Sequence, residues 1–261
     1  MLALKLGMSL TSSNKPSTAA GFLNEYSVDL DGVDDFLDCG SDTSLNIGTE
    51  NSWSFWIKTT SKSSIGFPPN FKYIFGKSGL TIGSNNYQSF IDSNGFVVLD
   101  LFTGTGVGSL RGTGSIDIAT NNWTHVVIVW DGSFSGAGAI KIYINGSLDS
   151  GVSVTGSIAS VNTTTSNFNI GTRPGGFGVG HIAGNIDEFA FFNSELSSSN
   201  VTAIYNSGKP DDLSGFSPVS WWRMGDPTGT SMFNKILDDG SATNLGVMTN
   251  MVSGDIVTVV P

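Results

Sequence analysis

The sequence contains a single cysteine, Cys39, among its 261 residues. One thiol excludes an internal disulfide and gives no cluster of zinc ligands, so packing alone must hold the fold together. Charged residues are also scarce, at 13%, and only 12 of them are lysine or arginine. Because the net charge is -10, the chain lacks the basic surface that phosphates require, and we expect no nucleic-acid partner.

The sequence also lacks an apolar run long enough to span a membrane. Its opening, MLALKLGMSLTSSNKP, is too short and too polar for a secretory signal, so we expect cytoplasmic synthesis without a cleaved signal. Residues 1–22 combine a short leucine alternation with a linker composition, which fits either an arm docked on another subunit or a frayed terminus. We therefore predict an N-terminal arm and linker at 1–22 and one domain over 23–261.

What the sequence does contain is glycine, with 34 residues, and aromatic side chains, including 17 Phe and 6 Trp. This composition suits many short strands joined by turns. The segment Trp123–Trp130 is apolar on both faces, which predicts a central strand covered on each side. Asn145-Gly146 is a strong signal for a two-residue hairpin. Only one helix is indicated, capped by Ser197 and ended by Gly208, so we predict an all-β sandwich or barrel with one short helix.

Period-two alternation and flanking turn residues place the remaining strands, and glycine content predicts a loop over Gly104–Gly114. Further strands are predicted at Tyr26–Leu30, Phe36–Leu37, Trp53–Lys58, Tyr73–Phe75, Leu80–Ile82, Ser89–Asp92, Phe96–Phe102, Ile140–Ile144, Phe168–Gly171, Ile186–Phe192, Val219–Met224 and Asp255–Val260. We expect the first of these strands and Ile186–Phe192 to be neighbours in one sheet.

Six motifs occur in order: SVDLDGVDDFLDCG, SWSFWIKT, NNWTHVVIVWDG, IKIYINGSL, FNIGTRPG and GNIDEFAFFNSELSSSNVTAIYNSGKP. They span roughly Tyr26 to Pro210 and resemble the laminin-G-like, concanavalin A-like jelly-roll domain. The resemblance implies a sandwich of two antiparallel sheets, one of them concave. The later segment VSWWRMGD and the opening MLALKLGMSL are similar to segments of structural proteins of tailed bacteriophages.

The jelly-roll resemblance implies a candidate calcium site at a sheet edge. In that family a late-strand aspartate and an early loop often hold the ion, and Asp187 matches the aspartate while Asp31, Gly32 and Asp34 match the loop. Two or three carboxylates plus carbonyls would supply the hard oxygens that calcium prefers. The alternative is that Asp31 caps a turn and Asp187 lies on a solvated edge.

The same family includes glycosidases with paired acids on one strand face. The nearest equivalent here, Asn185–Ala190, has asparagine and alanine where two of the acids should stand. Asp187 and Glu188 are adjacent, so on a regular strand they would point to opposite faces. We therefore expect no catalytic residues.

Several aromatic residues are candidates for stacking on sugar rings, although aromatic side chains in a sandwich more often belong to the core. Trp56 is the best placed, because it shares a strand face with Ser54 and Lys58. The other candidates are Tyr87, Phe177, Trp221 and Trp222.

These observations favour a non-enzymatic structural protein of a tailed-phage virion, on the capsid surface or the tail. Such a protein would decorate or cement the particle, contact host-surface glycans, and assemble with other virion proteins, as an oligomer, through residues 1–22. Two alternatives stay open. One is a secreted or cell-surface lectin that binds carbohydrate through calcium, and the other is a glycoside hydrolase with a displaced site.

Overall fold

The computed structural model describes residues 22–64, 70–79, 85–103, 108–173, 180–226 and 234–261. Nearly all of the regular structure is antiparallel strand, as the turn-rich composition predicts. The strands are β1 Ser27–Asp31, β2 Phe36–Asp38, β3 Asn51–Thr59, β4 Lys72–Ser78, β5 Asn85–Ile91, β6 Val97–Phe102, β7 Ser109–Thr113, β8 Thr124–Trp130, β9 Ile140–Ile144, β10 Ser147–Leu148, β11 Ser153–Gly156, β12 Phe168–Ile170, β13 Ala183–Phe192, β14 Ser220–Trp222, β15 Lys235–Ile236, β16 Gly246–Thr249 and β17 Ile256–Val257. One α-helix, α1 Ser198–Tyr205, is present among the described residues.

The strands form two sheets that pack face to face, which confirms the predicted all-β sandwich. Sheet 1 has the order β10-β9-β8-β3-β13-β1-β17, and β14 also pairs with β13. Sheet 2 has the order β11-β7-β6-β5-β4-β12-β2-β16-β15. Strands from the C-terminal segment extend both sheets, because β14 and β17 join sheet 1 while β15 and β16 join sheet 2.

The two remote segments expected to be neighbours do pair. Val28 lies opposite Ile186, and Asp31 lies opposite Ala183, in an antiparallel register between β1 and β13. The central strand prediction is also confirmed, since every residue of β8 is buried and β8 lies between β3 and β9.

The core between the sheets is rich in aromatic rings. The fully buried Trp53 packs within 6 Å of Phe75, Tyr87 and Phe191, measured between ring centroids. Each buried aromatic side chain removes a large apolar area from water, so this cluster supplies the packing that a chain without disulfides requires.

The helix lies on the outer face of sheet 1. Ser197 caps it by accepting a hydrogen bond from the backbone N–H of Asn200, and Asn206 ends it in the left-handed conformation. Val201 and Ile204 are buried against a cluster on the strands beneath. No helix in the described part of the chain is long and apolar enough to cross a membrane.

Two sequence predictions about the fold are wrong. The helix ends at the cap residue Asn206 rather than at Gly208. The glycine-rich stretch predicted as the loop Gly104–Gly114 contains the strand β7, which pairs with both β6 and β11. A Cβ at Gly112 would lie 2.5 Å from Ile140 in the facing sheet, so packing requires glycine at this strand position. The short strands β11, β15 and β16 carried no clear pattern, and the predicted strand Leu80–Ile82 lies outside the described residues.

Candidate functional site

The outer faces of the two sheets differ in what covers them. On sheet 1, α1 and the loop that follows it bury an apolar cluster that includes Val127, Val129 and Phe192. On sheet 2, the outward side chains of β2 and β12 border a cleft of about 180 Å³. Its lining residues are Asp34, Phe36, Asn169, Thr172, Arg173, His181 and Asn250.

Strand alternation sets the floor of this cleft. Phe168 and Ile170 point into the core, so Asn169 between them faces outward, and Phe36 faces outward beside the inward Leu37. Asn169 is only 7% exposed, yet its Oδ1 atom accepts no hydrogen bond from the described residues. Leaving such a buried acceptor unpaired costs about 1–3 kcal/mol, so the cleft favours a ligand that donates a hydrogen bond there.

The cleft walls are held by contacts between distant segments. The His181 ring lies 6.2 Å from the Phe36 ring, between centroids, and its Nε2 atom lies 3.4 Å from Thr172 Oγ1. Asn250 Nδ2 donates to the backbone oxygen of Asp34 at 3.1 Å. The cleft thus combines an aromatic face with amide, hydroxyl, imidazole, guanidinium and carboxylate groups, the mixture that polar ring-shaped ligands require.

An acidic turn lies next to the cleft. The carboxylates of Asp31, Asp34 and Asp35 have ligand atoms within 4.8 Å of one another. Asp31 Oδ1 accepts a hydrogen bond of 2.7 Å from the N–H of Val33, which lowers the pKa of Asp31, whereas burial raises the pKa of Asp35. Oxygen donors of this kind fit calcium chemistry, with carbonyl or water oxygens needed to complete the shell.

Gly32 allows this turn to approach β13 closely. Its φ is +76°, and a Cβ there would lie 2.7 Å from the Ala183 side chain. The predicted Asp31, Gly32 and Asp34 therefore do share one turn, and Asp35 joins them as a carboxylate that the sequence prediction omitted.

The structure does not bring Asp187 to this turn, which corrects the predicted ligand set. Asp31 pairs with Ala183, four residues from Asp187 along β13 and thus roughly 13 Å away. Asp187 is also fully buried, and its Oδ2 atom accepts a hydrogen bond of 3.0 Å from Asn24 Nδ2. It therefore lies neither at the acidic turn nor on a solvated edge.

Asp187 and Glu188 point to the same side of sheet 1, contrary to the expectation for a regular strand. The register of β13 against β3 shifts after Asp187, and Glu188 has a φ of +49°. This bulge turns Glu188 toward Trp221 and Arg223, whose side chains donate to it at 2.5 and 3.3 Å. Burial raises the pKa of Glu188 to about 8, and burial together with the charge of Glu188 raises the pKa of Asp187 well above its usual range.

The aromatic residues predicted to stack on sugars are buried, which corrects that prediction. Trp56 is 4% exposed and lies against His125 and, on α1, Tyr205. Tyr87 is in the core, where its hydroxyl donates to the Leu45 oxygen at 2.8 Å. Trp221 and Trp222 are also buried, and Phe177 lies outside the described residues.

Apart from Asp34, which was predicted as a calcium ligand, the residues that line the cleft were not predicted from the sequence. Asn169 offered one signal, a polar residue between two inward apolar ones in FNI. Nothing in the sequence indicated that Phe36, His181 and Asn250 would meet it, because these come from segments far apart in the chain.

Comparisons with known proteins agree with this architecture. The family model described as the concanavalin A-like lectin/glucanases superfamily matches residues 31–202. No curated protein sequence matches the chain significantly.

Two solved structures share the fold. A protein from Bacteroides ovatus ATCC 8483, proposed to bind carbohydrate, has 12% identity and a TM-score of 0.58, with 88% of this chain and 59% of that chain covered. A heptameric SAP-like pentraxin from Limulus polyphemus has 18% identity and a TM-score of 0.50, with 88% of this chain and 98% of that chain covered. The chain thus spans about three fifths of the Bacteroides protein.

Proposed function

Since the chain belongs to the concanavalin A-like lectin/glucanase superfamily, we propose that it is a non-catalytic carbohydrate-binding protein whose cleft on sheet 2 holds a sugar. The observation that carries the proposal is Asn169, a buried residue of the cleft lining whose amide oxygen has no partner among the described residues. A sugar hydroxyl is a donor that would satisfy this oxygen.

The remaining lining fits the same ligand class. The half-buried Phe36 ring offers an apolar face for the C–H side of a pyranose, while Asn250, Thr172 and His181 offer polar partners at the ring edge. A volume of about 180 Å³ is smaller than the sites that hold drug-sized ligands, which suits a single sugar ring. The fold shared with a protein proposed to bind carbohydrate supports this assignment.

Binding without catalysis is supported by the placement of the acids. Asp187 and Glu188, the pair nearest to a glycosidase arrangement, are buried on the outer side of sheet 1 rather than in the cleft. An activity assay on a panel of polysaccharides distinguishes this role from that of a glycoside hydrolase. Turnover by the wild type that is lost in Glu188→Gln would contradict a purely binding role.

The test begins with a glycan array and continues with calorimetry on the glycan that binds best. Asn169→Ala removes the buried acceptor, so we expect at least a tenfold loss of affinity, equivalent to about 1.4 kcal/mol. Asn167→Ala is the matched control, because Asn167 is exposed two residues away, and its variant should bind within about twofold of the wild type. An array without any binding, or equal affinities for both variants, would overturn the proposal.

We further propose that the acidic turn holds calcium, with Asp31, Asp34 and Asp35 as ligands and with Asp187 excluded. A ligand that binds only the folded state raises its stability by RT ln(1 + [L]/Kd). Millimolar calcium should therefore raise the melting temperature of the wild type and of Asp187→Asn, but not that of Asp34→Asn. If calcium leaves the melting temperature of the wild type unchanged, the acidic turn does not bind calcium.

For the biological setting we propose a tailed-phage virion, in which the protein decorates the capsid or tail, assembles as an oligomer with other virion proteins and contacts host glycans. The support is the resemblance of VSWWRMGD and of the chain's opening to phage structural proteins. Mass spectrometry of purified particles should find the protein in many copies. Its recovery only from culture medium or cell surfaces would favour the lectin alternative.

A further inference from the structure

Residues 22–26, called the strap here, cross the outer side of sheet 1 without forming a strand. Side chains hold the strap in place. Asn24 Nδ2 donates to Asp187 Oδ2 at 3.0 Å, and the N–H of Glu25 donates to Asp226 Oδ2 at 2.9 Å. Arg223 donates to the Leu23 oxygen.

The first residue of the strap adds ring contacts. The Phe22 ring stacks on Trp221 with 6.0 Å between centroids, and the Arg223 guanidinium lies 4.2 Å from the Phe22 centroid on its face. Trp221 and Arg223 are the same side chains that donate to Glu188. The strap therefore shares its anchors with the buried acid pair beneath it.

The cluster of side chains beneath the strap contains more acidic than basic groups. Asp187, Glu188 and Asp226 are each less than 5% exposed, and the cation Arg223 donates to Glu188 and lowers the pKa of Asp226 through its charge. The other titratable groups around this cluster are Glu25 and Tyr26 on the strap, Asp29 on β1, Lys58 on β3, His125 on β8, and Asp212 and Asp239 near Arg223. His125 is uncharged, because burial lowers its pKa to about 3.

Ionising both members of the pair would place two adjacent negative charges out of water, with one guanidinium to balance them. One proton held by the pair avoids that cost. The strap has a group that can accept a hydrogen bond from protonated Asp187: Asn24 Oδ1 has no partner among the described residues, and rotation of the amide would point it at Asp187.

We propose that the strap is a pH-sensitive latch, closed over Asp187 and Glu188 while the pair holds a proton and opened when the pair is fully ionised. Opening admits water, which returns both carboxyls to their ordinary acidity. The closed form therefore binds the proton more tightly than the open form does. By linkage, closure is strongest at low pH and is lost as the pH rises toward and past the closed-form pKa of Glu188, about 8.

Hydrogen exchange on the full chain tests the latch. Protection factors, meaning measured rates corrected for intrinsic exchange at each pH, are compared at pH 6 and pH 9 for a peptide covering the strap. We expect the wild type to lose at least tenfold in protection. Asp187→Asn, which mimics the protonated acid, should lose less than threefold.

Two controls separate a latch from general unfolding. Asp211→Asn removes one charge at an exposed position outside the strap contacts, so it should behave like the wild type. A peptide from β8 should keep its protection at both pH values. A strap protection that is equal at pH 6 and pH 9, an Asp187→Asn loss as steep as that of the wild type, or a parallel loss in β8 would each overturn the latch.

Discussion

His125 shows how a single buried group can be fixed in one charge state. Its ring lies on β8 beneath α1, between Trp56 and Tyr205, with centroids 4.9 and 5.8 Å away. Ser54 Oγ lies 2.9 Å from Nε2. Since the ring is fully buried, desolvation lowers its pKa to about 3.

The resulting prediction is that the His125 imidazole stays neutral from pH 8 down to pH 5. Nitrogen-detected NMR of the ring should show no titration over that range, with assignment by His125→Gln. The unfolded chain takes up a proton on His125 below about pH 6.5, whereas the folded chain does not. The free energy of unfolding therefore decreases as the pH falls from 6.5 toward 3. A ring titration midpoint between pH 5 and pH 8 would show that the helix does not seal it from water.

At the scale of elements, the Asn145-Gly146 turn of the β9–β10 hairpin has two functions. It reverses the chain, and it also packs against α1. Asn145 and Gly146 have φ of +50° and +76°, as a two-residue turn of this hand requires. A Cβ on Gly146 would lie 2.7 Å from the Tyr205 ring, so glycine also lets α1 sit against the hairpin.

Gly146→Ala should therefore destabilise the protein by about 1–3 kcal/mol, from the left-handed backbone together with the clash. Gly138→Ala is the matched control, because a Cβ there meets nothing within 4 Å and its φ is not left-handed. Chemical denaturation of both variants measures the difference. Equal midpoints for Gly146→Ala and the wild type would mean that the helix does not press on this turn.

The elements that the sequence predicted are those whose signals are local. The apolar β8, the cap of α1 by Ser197 and the turn at Asn145-Gly146 all depend on residues close together in the chain, and all were confirmed. Strand β7 was missed because Gly112 serves contact with the facing sheet, which a local pattern cannot reveal.

The candidate site was less predictable for the same physical reason. The bulge after Asp187 changes which way two acids point, and only the pairing register exposes it. Trp56 alternates with polar residues as a surface residue would, but α1 folds back over it. Asn169 becomes part of a cleft only when β2 and the turn at Asn250 fold next to it, and residues so far apart in the chain give no local pattern.

At the scale of the whole molecule, the two outer faces carry different features. The outer side of sheet 1 is closed by α1 and the strap, above a buried acid pair. The outer side of sheet 2 carries the cleft and the acidic turn beside it. With the sandwich between them, the proposed latch and the proposed sugar site can be tested by independent variants.

We propose that carbohydrate binds in the cleft that Asn169 lines. The most direct measurement is an NMR titration of the 15N-labelled protein with the best array glycan, following the side-chain amide of Asn169 and the backbone amides of β2 and β12. The account predicts saturable shifts centred on these signals and little change in β8 or α1. A second cleft lies between α1 and the β9–β10 hairpin, where Gly146, Thr202 and Tyr205 are among its lining residues. Shifts centred on that second cleft, with the Asn169 amide unmoved, would contradict carbohydrate binding at Asn169.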